Sequence, residues 1–99
     1  MYAMTGKLTA QNGKRDELAS ILIEAAKDVG KIPECKLYIV CEDVSNENIV
    51  WVFESWDTKQ AHDDSLQNER TRALISQARP LLVAAPDGAE LRVIGGHGI

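Results

Sequence analysis

The sequence has no Lys/Arg-rich run. Its 11 basic residues are outnumbered by 15 acidic ones, for a net charge of −4. A nucleic-acid partner is therefore not expected, because phosphate binding needs a basic stripe or patch. No stretch approaches the roughly 20 consecutive apolar residues that a membrane-crossing helix requires. The opening MYAMTGKLTA lacks the charged start and long apolar segment of a signal peptide. The expectation is a cytoplasmic protein with neither a membrane nor a nucleic acid as partner.

Cysteine and histidine are scarce as well, with two of each. Cys35 and Cys41 fall within one strand-like segment. Six residues of extended chain separate them by about 20 Å, and a disulfide needs Cα atoms within about 7 Å. Neither a bridge nor a shared metal site is expected, and His62 and His97 add no metal-ligand spacing. The plain reading of both thiols is burial among apolar side chains. Repeats and linkers are absent, so 99 residues read as one small domain spanning 1–99. At 44% hydrophobic and 26% charged, the composition argues against disorder.

Periodicity supplies the elements. Residues 2–10 alternate, with Tyr2, Met4, Gly6, Leu8 and Ala10 on one face, which predicts a half-buried strand. Asn12-Gly13 breaks it. Over 14–29, Leu18, Ile21, Leu22, Ala25 and Val29 form one helical stripe, stopped by Gly30. CKLYIVCE (35–42) predicts a second strand, with Cys35, Leu37, Ile39 and Cys41 facing one way and Tyr38 and Val40 the other. DVSNEN turns the chain into IVWVFESW (49–56), the third strand. Asp57 or Thr58 caps a short helix. Asn68 caps another that carries Leu74, Ile75, Ala78 and Leu82, bent or ended by Pro80. Pro86-Asp87-Gly88 reads as a turn and 89–94 as the last strand, before a glycine-rich GGHGI tail.

The order β-α-β-β-α-α-β predicts an α+β, ferredoxin-like subunit with a four-stranded antiparallel sheet. Helices then cover one sheet face. Strands two and three carry apolar groups on both faces: Ile49, Trp51 and Phe53 on one, Val50, Val52 and Trp56 on the other. A sheet wetted on one side alternates apolar with polar. The pattern predicts a homodimer that packs sheet on sheet.

The strand ending VFESW, followed by DTKQAHDDSL, resembles the antibiotic biosynthesis monooxygenase (ABM) superfamily, whose members join a Glu-x-aromatic strand end to a short helix with an alanine and a histidine. Length and element order agree over nearly the whole chain. ARPLL and VIGGHGI resemble the branch assigned to quinol monooxygenases. The resemblance implies a dimeric α+β barrel. It also implies oxygenation of a quinol or related small aromatic with no cofactor. In many members the helix histidine stands nine residues after the strand's last aromatic, which here is Ser65; His62 stands one helical turn earlier and shares that face. A haem-degrading branch relies on an asparagine, a tryptophan and a histidine where this chain has Gly6, Ser65 and Ile75, so haem degradation is not implied.

Cofactor-free oxygenation needs a base near neutral pH, a hydrogen-bond donor for the oxyanion and a dry apolar pocket. His62 is the candidate base by its intrinsic pKa. Trp51, Phe53 and Trp56 are candidate substrate-binding aromatics, Tyr38 is a candidate donor, and His97 on the tail is a candidate lid or cross-subunit contact. Plainer readings stand beside these. His62 precedes Asp63-Asp64 and suits a solvated helix face. Trp51 and Phe53 suit the core, Trp56 a dimer interface, and the tail a frayed terminus. Glu54 suits an ion pair with a cation on a neighbouring strand. The same scaffold also suits a non-catalytic dimeric barrel that binds a small hydrophobic ligand, or another reaction on a small aromatic.

Overall fold

In the computed structural model, which describes residues 1–99, a four-stranded antiparallel sheet carries helices on one face. The strands are β1 (Tyr2–Thr9), β2 (Cys35–Glu42), β3 (Ile49–Trp56) and β4 (Asp87–Arg92), in spatial order β2-β3-β1-β4. The helices are α1 (Arg15–Val29), α2 (Lys59–Ser65) and α3 (Glu69–Ala78), the last continued by a 3-10 turn over Arg79–Leu81. The expected ferredoxin-like α+β fold is present, with β1 and β3 at the sheet centre.

Local chemistry accounts for most element ends. Gly13 adopts φ +78°, a conformation that favours glycine. Thr58, not Asp57, caps α2: its Oγ1 accepts from the Ala61 N–H at 3.1 Å. Asn68 Oδ1 accepts from the N–H groups of Arg70 and Thr71 at 2.9 and 3.3 Å, as its position predicts. Pro80 ends α3 and leaves Leu82 extended, bridged to Ala10, so Leu82 is not part of that helix.

Two expectations about strands need correcting. Asp87 and Gly88 belong to β4 and not to a turn, and β4 stops at Arg92. Gly88 lies opposite Gly6, and a Cβ on it would come within 2.6 Å of the Thr5 carbonyl oxygen. The glycine serves a close strand-to-strand approach, which the Pro-Asp-Gly pattern does not reveal. A β-bulge between Cys35 and Leu37 sets Cys35 opposite Trp56 but Leu37 opposite Ser55. Cys35 thus leaves the face shared by Leu37, Ile39 and Cys41. Nor are the thiols a buried apolar pair: both are free, Cys35 half-buried and Cys41 exposed.

Alternation along β3 places Val50, Val52, Glu54 and Trp56 toward the helices, and all but Glu54 are buried. The core joins Val50 to Leu18 of α1, Ala78 of α3, and Ala10 and Leu81. On the opposite sheet face Trp51, Phe53, Leu37, Ile39 and Leu91 remain 36–44% exposed in the single chain. Trp51 and Phe53 are therefore not core residues of this subunit. Trp56, a candidate substrate-binding aromatic whose plainer reading is a dimer interface, is fully buried beneath the helices. No helix is long and apolar enough to cross a membrane.

Candidate functional site

A cavity of about 320 Å³ lies between the helix-covered sheet face and α1 and α3. Leu8, Leu22, Leu74 and Leu82 help form its apolar walls, and Tyr38, Glu54, His62, Ser65, Thr71 and Arg79 contribute polar groups. The volume falls at the lower end of the roughly 300–1,000 Å³ typical of small-ligand sites. Arg79 is the one lining residue with a permanent positive charge.

His62 is buried, 6% exposed, so the solvated-face reading fails. Capping by Thr58 starts α2 directly after β3 and turns His62 back over the strand end. Its ring packs on Tyr2 (centroids 5.3 Å apart) and meets Trp56 edge-on (5.7 Å, 81° between planes). Such aromatic contacts each contribute about 0.5–1.5 kcal/mol beyond area burial.

The imidazole stands between two carboxylates. Nδ1 lies 3.0 Å from Asp63 Oδ1, and Nε2 lies 3.4 Å from Glu54 Oε1. Hydrogen bonds from His62 and Lys59 hold the Asp63 carboxyl below the usual carboxylate range. An ionised carboxylate only accepts, so Nδ1 donates to Asp63 and Nε2 faces Glu54. Asp63 is on the solvent side, with 44% of its side chain exposed, whereas Glu54 keeps only 12%.

Glu54 is the residue that sequence reasoning misplaced. It takes no cation from a neighbouring strand. Its Oε1 accepts the Trp56 indole N–H at 2.8 Å and faces His62. Burial pushes its carboxyl above the ordinary value, and the Trp56 hydrogen bond and His62 partly oppose that rise. Burial also raises the Tyr38 phenol, with the Glu54 charge adding to the effect, so this hydroxyl stays protonated and able to donate. The signal for Glu54 was available: residue 54 falls on the apolar stripe of Val50, Val52 and Trp56, where a carboxylate needs a reason.

The other candidates divide. Tyr38 lines the cavity with His62 and Glu54. Trp56 flanks His62 and holds Glu54 without lining the cavity. Truncating a fully buried tryptophan to alanine costs about 3–5 kcal/mol, so that change would test the fold before the chemistry. Trp51 and Phe53 lie on the other sheet face, where Trp51 Nε1 donates to Asp43 Oδ2 at 2.8 Å. His97 is exposed in the C-terminal segment and outside the cavity lining. Ser65, one turn beyond His62, lines the same cavity, and its Oγ donates to the His62 carbonyl at 2.6 Å. No three His, Cys, Asp or Glu side chains are grouped to hold a metal ion.

A ferredoxin-like sheet with an acid–imidazole pair lining an apolar cavity defines a small α+β protein with a candidate ligand site. Sequence comparison narrows this description: the antibiotic biosynthesis monooxygenase family matches residues 1–77. A solved structure from Chloroflexus aurantiacus J-10-fl, classed with the same monooxygenases, is 36% identical over 99% of this chain and 97% of its own, with a TM-score of 0.88. The chain belongs to the antibiotic biosynthesis monooxygenase family. A Deinococcus radiodurans protein assigned to the same group shares the fold at 22% identity, covering 100% of this chain and 98% of its own, with a TM-score of 0.87. A search of curated proteins returns no match.

Proposed function

We propose that this protein is a homodimeric monooxygenase that oxidises a quinol or related small aromatic with dioxygen and without a metal or organic cofactor. The observation that carries this reading is the Glu54–His62 pair, its side chains 12% and 7% exposed, lining an apolar cavity. Family membership supports the oxygenase class.

The chemistry closes without an external reductant. Glu54, with His62 behind it, takes the hydroxyl proton of a bound quinol, and the electron-rich quinolate gives an electron to dioxygen. The two radicals combine at a ring carbon to form a hydroperoxide, which loses water as the ring C–H proton leaves. The product is a hydroxyquinone. One quinol and one dioxygen give one hydroxyquinone and one water, and the substrate supplies all four electrons. The apolar walls exclude water from the anion, and the Tyr38 hydroxyl donates to the developing oxyanion. His62 passes the proton toward Asp63 and solvent through its two ring nitrogens.

The test is oxygen uptake with 2-methyl-1,4-naphthalenediol, corrected for its spontaneous oxidation, with no metal or flavin added. His62→Ala is expected to lower the protein-dependent rate about tenfold or more, with partial recovery in added imidazole. An unchanged rate removes His62 from the mechanism.

A further inference from the structure

A second cavity, about 230 Å³, adjoins the first and shares Leu8, Leu22, Tyr38, Glu54 and Pro86 with it. Tyr38 and Glu54 are therefore walls common to both lobes. The second lobe adds Met4, Val52, Gly6 and Gly88. Gly6 and Gly88 are directly opposed across β1 and β4. With no side chain from either, the sheet presents a bare strip of backbone between Met4 and Leu8, which alternation puts on the same face as Gly6.

The two glycines differ in what holds them. A Cβ on Gly88 would collide with the Thr5 carbonyl oxygen at 2.6 Å, so Gly88 is required by strand packing. A Cβ on Gly6 would meet nothing closer than the Asp87 carbonyl oxygen at 3.8 Å, an ordinary contact, and its backbone is not at positive φ. Glycine weakens a strand interior, and β-branched residues favour one. Packing does not require Gly6, yet β1 is a central strand. The open volume above it is what a side chain there would remove.

We infer that this lobe is a second binding subsite, holding the flat apolar part of a ligand remote from Glu54, and that Gly6 sets how large a ligand the site accepts. The inference rests on the reading of the main cavity as an aromatic-ligand site, and it does not depend on turnover. A bare backbone strip flanked by aliphatic walls suits the face of a ring, and binding such a remote part helps orient the reacting one.

The test is calorimetric titration of the full chain with phenol, small enough for the first lobe alone, and with 9-phenanthrol, whose additional rings are expected to extend from Glu54 into the second. Gly6→Val is expected to weaken 9-phenanthrol tenfold or more and to leave phenol within about twofold, with Gly6→Ala intermediate. Melting curves confirm that each variant folds; should the valine variant fail to fold, the alanine variant alone is expected to weaken 9-phenanthrol about threefold. Equal effects on both probes, or none on either, overturn the subsite while leaving the main site standing. Failure of phenol to bind the unaltered protein overturns the site itself, and with it this inference.

Discussion

Replacing Glu54 with glutamine is expected to cut oxygen uptake about 100-fold or more while raising the melting temperature at neutral pH. The loss follows from removing the base, since a positioned general base contributes roughly 10²–10⁴-fold. The gain follows from linkage. Burial raises the folded-state pKa of Glu54 above its ordinary value of 4.5. A carboxyl shifted in that direction favours the fold while protonated. Its favourable contribution is complete below about pH 4.5 and is lost as the pH rises through the raised folded value. At neutral pH the largely desolvated carboxyl therefore costs stability relative to the unfolded chain. Glutamine stays neutral and keeps an oxygen to accept the Trp56 N–H. The melting advantage of Glu54→Gln is thus expected at pH 7 and should close below about pH 4.5. Thermal melts across that range check the sign, and wild-type oxygen uptake in the variant would sink the role of Glu54. Such a cost is the usual trade-off where a group serves catalysis.

The second large effect concerns assembly. Phe53→Glu is expected to convert a dimer at micromolar concentration into a monomer, weakening association 100-fold or more. In the single chain Phe53, Trp51, Leu37, Ile39 and Leu91 lie exposed together on the helix-free sheet face. A contiguous apolar patch of this kind marks an interaction surface. Sheet-on-sheet packing of two copies would cover it, and a glutamate placed there would lose its hydration without a partner. Phe53 contributes nothing to the subunit's own buried core, so circular dichroism should be unchanged. Mass photometry showing a monomer before substitution would contradict the dimer.

The sequence patterns that reported local structure held up well. The periodicity of α1, the Asn68 cap and the two-faced apolar pattern of β3 all appear in the fold. What was not legible depends on contacts between distant segments. That β3 has two apolar faces is written in its alternation, but which face the helices cover is decided by α1 and α3. Trp51 and Phe53 accordingly exchanged roles with Trp56. The Asp63-Asp64 neighbours of His62 suggested solvent, yet the Thr58 cap turns α2 so that His62 packs beneath Tyr2 and beside Trp56. Glu54 was readable as a carboxylate on an apolar stripe, though its partners Trp56 and His62 are brought together only by the strand-to-helix turn. The bulge that moves Cys35 and the close approach that requires Gly88 leave no mark in composition or spacing.

The proposed reaction beside Glu54 and His62 would insert one oxygen atom from dioxygen into a quinol. Mass spectrometry of the product from 2-methyl-1,4-naphthalenediol tests it most directly. The expected product is 2-hydroxy-3-methyl-1,4-naphthoquinone, one oxygen atom heavier than the simple quinone, formed without hydrogen peroxide and lost in Glu54→Gln. Formation of only the simple quinone and hydrogen peroxide, at a rate independent of the protein, would contradict it.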